Sequence, residues 1–189
     1  LGLAERVEVV KGPASVFYGT GALGGAINVR LPQARFEPGL HLKTRLGYDS
    51  ASRGASGAAL LNASQCDHAL MLGGSLADYQ DYRAPGGKVA YTGYESGAFI
   101  GQYCYRLGGG QQLRLSLQQQ RDDDVWYPGS IKPHALPVVG SVITHSPKQT
   151  RRLYELGYNR QGDGERVLNF DLRPYRQEMS RSIYGQARL

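Results

Sequence analysis

ERVEVVKGPASVFYGTGALGGAINVR, from Glu5 to Arg30, decides how the rest of the chain is read. Val7 and Val9 alternate with Arg6 and Glu8, the period of a strand with one apolar face. Gly12-Pro13 stops that strand, because proline brings no N–H to a ladder. Tyr18-Gly19, Gly21 and the pair Gly24-Gly25 follow, and Ala26 to Leu31 closes the stretch as a second short strand. Six glycines and prolines in so short a span require positions at positive φ or with close chain approach. The stretch is a compact, turn-rich unit. It is not a phosphate-cradling loop, since it has no Gly-Lys-Ser/Thr and no helical period follows the glycines.

Beyond a linker with Pro32 and Pro38, the period of two takes over. In Gly39 to Asp49, Leu40, Leu42, Thr44, Leu46 and Tyr48 share one face, and His41, Lys43, Arg45 and Asp49 the other. Further strands are expected at about 55–64, 69–79, 97–107, 112–120 and 149–159, and a seventh from Arg166. Ser182 to Leu189 reads as the beginning of an eighth. On the fourth, Phe99, Tyr103 and Tyr105 oppose Gln102, Cys104 and Arg106; on the sixth, Tyr154, Leu156 and Tyr158 oppose Arg151, Glu155 and Asn159. From the second strand on, short links (Gln65 to His68, Gly108 to Gly110, Gln161 to Glu165) alternate with long ones (Asp81 to Ser96, Arg121 to Lys148). Short turns on one side and long loops on the other mark an outer-membrane barrel.

Composition agrees. The 189 residues carry a net charge of +6, with 26 glycines and 13 tyrosines. The pI is about 9.4, yet the arginines are scattered rather than gathered on one element, which excludes a nucleic-acid patch. No run approaches the ~18 apolar residues of a membrane helix. A mean hydropathy of −0.41 fits a barrel, because only alternate residues of each strand face lipid. The chain opens on Leu1 and closes in mid-strand, so it reads as a piece of a longer precursor.

Glu5, Arg6, Glu8, Val9, Gly12, Pro13, Tyr18, Gly19, Ala22, Gly24, Gly25, Ile27 and Asn28 carry a resemblance to the C-terminal end of the plug domain of TonB-dependent outer-membrane transporters. The resemblance spans about the first thirty residues without a gap. It implies an all-β fragment of a plugged transmembrane antiparallel β-barrel. Residues 1–31 are then the end of the plug, 32–38 the linker, and 39–189 the incomplete N-terminal part of the barrel, with seven to eight strands. It also implies a Gram-negative outer-membrane location and uptake of an iron chelate, either a ferric siderophore or haem. Partners are the inner-membrane TonB complex, a metal chelate or similar small ligand, and outer-membrane lipid; neither nucleic acid nor a resident cofactor is expected. Cobalamin or another nutrient taken up by the same machinery is the alternative, as is a passive porin or adhesin barrel.

Candidate residues follow. The resemblance places Arg6, with Lys11, at a polar plug–barrel interface, and parity makes Glu155 the candidate partner. Tyr82, Arg83, Tyr91, Tyr94, Trp126 and Tyr127 lie in the long loops, where rings and a guanidinium can meet an aromatic or oxygen-rich chelate; an aromatic girdle is the competing role. His134 and His145 are open to haem ligation or to plain surface roles. Asp122-Asp123-Asp124 lacks the alternating spacing of a calcium loop. Cys66 and Cys104 form no metal spacing, and whether they pair is left open. No Ser/His/Asp order or zinc spacing occurs, so no enzyme is expected.

Overall fold

In the computed structural model, residues 2–13, 24–133, 135, 136, 140–162 and 169–188 are described, and they form two compact units, Leu3–Gln33 and Ala34–Leu189. The first is a hairpin of β1 (Arg6–Lys11) and β2 (Gly25–Arg30), antiparallel, with Arg6 opposite Arg30 and Lys11 opposite Gly25. Gly25 sits at φ +149, where a Cβ would stand 2.6 Å from the Val10 carbonyl oxygen. That close approach accounts for the glycine. Tyr18, Gly19 and Ala22 of the motif lie outside the described residues.

The second unit is an antiparallel meander of β3 (Gly39–Asp49), β4 (Gly54–Gln65), β5 (His68–Tyr79), β8 (Tyr94–Gly108), β9 (Gln111–Pro133) and β10 (Ser141–Arg160). A small hairpin of β6 (Arg83–Ala84) and β7 (Gly87–Lys88) sits between β5 and β8. β11 (Phe170–Leu172), β12 (Tyr175–Arg181) and β13 (Tyr184–Arg188) all pair with β10. The first four strands fall where alternation puts them. Their turns are tight: Asp49 accepts from the Ala51 N–H and the Ser52 hydroxyl, and Gly108, Gly109 and Gly110 all take positive φ.

Two expectations need correction. Of the loop expected from Arg121 to Lys148, Arg121 to Pro133 and Ser141 to Lys148 are strand. β9 and β10 run on as a paired ribbon, with Asp123 opposite Lys148 and Trp126 opposite His145. Polar residues mimic a loop in sequence, but a strand that has left an apolar layer has no need of apolar residues. Pro128 is accommodated by a bulge in which Ser130 Oγ donates to the Tyr127 carbonyl and accepts from the Thr144 N–H. Likewise, the described part of the expected eighth strand, up to Arg188, is not a new pass. β11, β12 and β13 are one interrupted pass, broken at Pro174 for want of an N–H, and the Pro174 carbonyl still accepts from Leu156. Among the described residues the unit thus makes seven passes.

One face of this sheet is apolar and exposed: Leu42, Leu46, Leu76, Leu115 and Leu156 all lie open on it. The other face is polar, and buried residues such as Met71, Ile100, Gln102 and Cys104 sit there. A water-soluble sheet does the reverse with its apolar side. The upper limit of the apolar face also descends across the sheet, pausing only between β9 and β10, where Leu117 and Tyr154 are level. It lies at Tyr48 on β3, Leu76 on β5, Phe99 on β8, Leu117 on β9, Tyr154 on β10 and Pro174 before β12. In register, Tyr48 is level with Asp123 of β9, and Pro174 is level with Leu115. That descent is about 27 Å along the strands over about 29 Å of sheet width, at ~3.4 Å per residue and ~4.8 Å per strand. The edge therefore runs about 45° to the ladder, the slope a flat lipid boundary cuts across tilted barrel strands.

Candidate ligand-facing site

In the first unit the motif residues hold one another. Glu8 takes a hydrogen bond from Asn28 Nδ2 (2.9 Å) and ion pairs from Arg6 and Arg30. The Asn28 amide, then the two guanidiniums, outweigh desolvation and keep the Glu8 carboxyl below its ordinary value. Gly12 N–H donates to the Gly24 carbonyl, closing the hairpin end. Arg6 therefore has its carboxylate within its own hairpin. Glu155, the candidate partner for Arg6, is paired with Arg114 across β9 and β10. Arg114 lies over Gly157, where a Cβ would stand 3.4 Å from its Nε. Parity identified Glu155 as inward-facing but could not see that Arg114 reaches it from the neighbouring strand.

The segment before β3 is tied to the polar face. Ala34 N–H donates to Gln102 Oε1 (3.0 Å). The Asn62 carboxamide takes both backbone groups of Arg35, accepting from its N–H (2.9 Å) and donating to its carbonyl (3.0 Å). The Arg106 guanidinium lies 3.8 Å from the Phe36 ring centroid. A residue expected only as linker thus carries a strand-like set of bonds, signalled in the sequence by nothing more than an inward Asn and Gln.

At the upper end of the sheet, residues 80–93 are organised around Asp81. It accepts from the N–H groups of Thr92 (2.8 Å) and Gly93 (2.9 Å), and Lys88 Nζ is 3.4 Å away. Burial pushes the Asp81 carboxyl up, but the two amides and Lys88 outweigh it and hold it below the ordinary range. Tyr91, held at φ +67, packs on Trp126 at 4.8 Å, and Trp126 stacks on His145 at 3.8 Å. His145 Nε2 faces Asp124 at 3.3 Å. Tyr94 packs with Tyr79 at 5.4 Å. Tyr127 stands nearby with its hydroxyl on Gln149 Nε2 (2.7 Å) and the Arg181 guanidinium 4.9 Å from its ring. Tyr82 and Arg83 lie apart, on and beside the small β6–β7 hairpin. Of the six loop candidates, Tyr91 and Trp126 come together.

The metal-binding alternatives lose their geometry. Asp122 binds Ser96 and Gln120, Asp123 binds Arg121, and Asp124 faces His145, so the three carboxylates diverge. Among the described residues no three His, Cys, Asp or Glu converge. His145 is engaged by Trp126 and Asp124, and His134 lies outside the described residues. Cys66 and Cys104 are free thiols, one exposed and one buried.

No family model matches the sequence. The chain is 25% identical over 126 residues to heme/hemopexin utilization protein C of Haemophilus influenzae strain 86-028NP, covering 64% of this chain and 18% of that protein. To the same-named protein of strain KW20 it is 38% identical over 56 residues, covering 28% of this chain and 8% of that protein. Its structure superposes on the FrpB iron transporter of Neisseria meningitidis (F3-3 variant) with a TM-score of 0.72 at 18% identity, covering 95% of this chain and 30% of that one. With the ferric enterobactin receptor PfeA (G324V mutant) of Pseudomonas aeruginosa the TM-score is 0.56 at 16% identity, covering 95% and 32%. The chain thus spans less than a third of each protein it matches. With the plug-end motif, the inside-out sheet and these likenesses together, the chain is similar to TonB-dependent receptors and has the fold of part of their β-barrel wall.

Proposed function

We propose that this chain is part of an outer-membrane transporter of a Gram-negative bacterium, taking up a ferric chelate or haem under the drive of the inner-membrane TonB complex. The carrying observation is the sheet's polarity: exposed leucines on one face, charged and amide side chains on the other, with an apolar limit that crosses the strands at the slope of a bilayer. The names of its relatives, two haem-utilization proteins and two iron transporters or receptors, supply the cargo class and speak against an enzyme. Residues 1–31 serve as the end of the plug, 32–38 as the linker and 39–189 as barrel wall. Tyr82, Arg83, Tyr91, Tyr94, Trp126 and Tyr127 are the first groups a ligand meets.

The test is growth of the parent bacterium on haem or a single ferric chelate as sole iron source, with and without the full-length gene. The expected result is loss of growth on at least one such source, and equal loss when the proton-motive force is uncoupled from the outer membrane by removing TonB. Unchanged growth on every iron source, or uptake that continues without TonB, refutes the reading in favour of a passive pore.

A further inference from the structure

The apolar outer face of the sheet holds a groove whose two ends differ in chemistry. One row of the ladder crosses it: Leu72, Gly101, Leu117, Tyr154 and Arg176 stand side by side on β5, β8, β9, β10 and β12. Gly101 brings no side chain to that row, so the wall dips between Leu72 and Leu117. Phe99 and Tyr103, its neighbours along β8 on the same face, bound the dip above and below. The groove measures about 700 Å³ and reaches Arg176, a size at which sites hold a ligand. A further strand beside β12 would extend the wall without covering this face.

Its heights match the parts of a lipid. On strands inclined at about 45°, Gly101 lies two residues below the Phe99 limit, about 5 Å inside the hydrocarbon. Arg176 lies two residues above the Pro174 limit and Arg152 two above Tyr154, each about 5 Å outside it, in the headgroup layer. Arg152 and Arg176 are diagonal neighbours on this face, and Glu178 stands opposite Arg152 and beside Arg176. The Glu178 carboxylate pairs with Arg176 at 2.7 Å, but the two side chains are 43% and 78% exposed, and an ion pair that open is weak. Arg152 is exposed and has no ion pair or hydrogen bond among the described residues. Arg121, higher on the same face, is already held by Asp123. Two guanidiniums thus share one carboxylate, and the surplus positive charge stands at the mouth of an apolar groove. Guanidinium forks match phosphate oxygens.

We propose that Arg176 and Arg152 bind the phosphate of an anionic lipid in the leaflet on the ribbon side, with one acyl chain of that lipid lying in the groove over Gly101. The inference rests on the sheet being a membrane wall and not on the cargo. Charge and depth select the occupant together: a neutral headgroup leaves the guanidiniums unmatched, and a free anion leaves the groove empty.

The test uses the full-length receptor, delipidated in detergent, and native mass spectrometry after addition of dioleoyl phosphatidate or dioleoyl phosphatidylcholine. The wild type is expected to hold phosphatidate about tenfold more tightly than phosphatidylcholine. R152Q/R176Q is expected to lose most of that preference, and R152K/R176K, which keeps the charge but not the fork, to retain part of it. G101F keeps both arginines and fills the groove, and it is expected to weaken phosphatidate binding several-fold. Heat-modifiable migration checks that each variant folds. No preference in the wild type, or the same preference in R152Q/R176Q, overturns the site. Unchanged phosphatidate binding by G101F, or displacement of phosphatidate by an equal concentration of inorganic phosphate, overturns the assignment of the groove to an acyl chain.

Discussion

Replacing Glu155 with Gln tests whether the inner face is held by its own strands. The Arg114 and Glu155 side chains are 15% and 21% exposed, and Arg114 Nε is buried with no partner of its own. Among the described residues Glu155 is its ion-pair partner, with Asp171 acting on it from farther off, and the opposite residue, Gly157, presents no side chain. A fully exposed pair is worth about 0–1 kcal/mol, and stranding one partner of a buried pair costs about 3–5 kcal/mol. At this partial burial, E155Q should destabilise the barrel by about 2 kcal/mol. Urea unfolding of the refolded full-length receptor in bilayers measures it. Because Gln keeps the shape and one acceptor, the loss reports charge. A cycle through R114M, E155Q and the double variant should give a coupling of about 1–2 kcal/mol, with the double variant less damaged than the sum of the singles. R6M, whose guanidinium shares Glu8 with Arg30, is the control and should show no coupling to Glu155. An E155Q loss below about 0.5 kcal/mol, the level of an ordinary surface change, or a coupling with Arg6 in place of Arg114, would refute the assignment.

Asp81 gives a pH prediction that Trp126 can read. Its folded pKa lies below the ordinary carboxylate value, so its stabilisation of the loop is complete above about pH 4 and is lost as pH falls through the depressed value. Trp126 emission, which senses Tyr91 at 4.8 Å, should hold steady to about pH 4 and change only below it. D81A should show the acid emission at neutral pH, and a wild-type midpoint near pH 6 would contradict this. N62A removes both bonds to Arg35, about 1 kcal/mol each, and should make residues 32–38 several-fold more sensitive to protease while leaving barrel unfolding unchanged; unchanged cleavage would count against the tie. Trp126 should escape quenching by lipids brominated on their acyl chains, whereas strong quenching would put it at the membrane.

The strand faces were legible because each inward or outward choice repeats every second residue, and Leu113, Leu115 and Leu117 allow only one reading. Length was not. The ends of β9 and β10 lie where the environment on both faces is polar, so Asp122 to Lys132 and Ser141 to Lys148 carry no alternation for a period to detect. Only cross-strand pairing, such as Asp123 with Lys148, identifies them as strand. The same limit explains why no register can be read beyond Pro174, which merely skips one ladder donor. Site residues were legible as types and not as partners. Trp126 and Tyr91 are separated by thirty-five positions, and His145 by nineteen more, yet register stacks them; Asn62 and Arg35 meet because a carboxamide can satisfy one residue's whole backbone.

The sloping apolar limit also decides which tyrosines belong to the membrane interface, a question composition leaves open. With strands at about 45°, each residue beyond the limit rises about 2.4 Å along the normal. The interfacial layer on one side is about 5–8 Å deep. Tyr48 marks the limit on β3 and sits in the girdle, whereas Tyr79 falls on the opposite, inner face from Leu76 and packs on Tyr94. Tyr94 is five residues above Phe99, about 12 Å, and Trp126 is nine above Leu117, about 21 Å. Those heights exceed the headgroup layer, so lipid cannot be what their rings serve. Trp126 is nevertheless packed between Tyr91 and His145 rather than left loose in water, and the cost of ordering three rings in an exposed ribbon argues for a use that needs them preorganised.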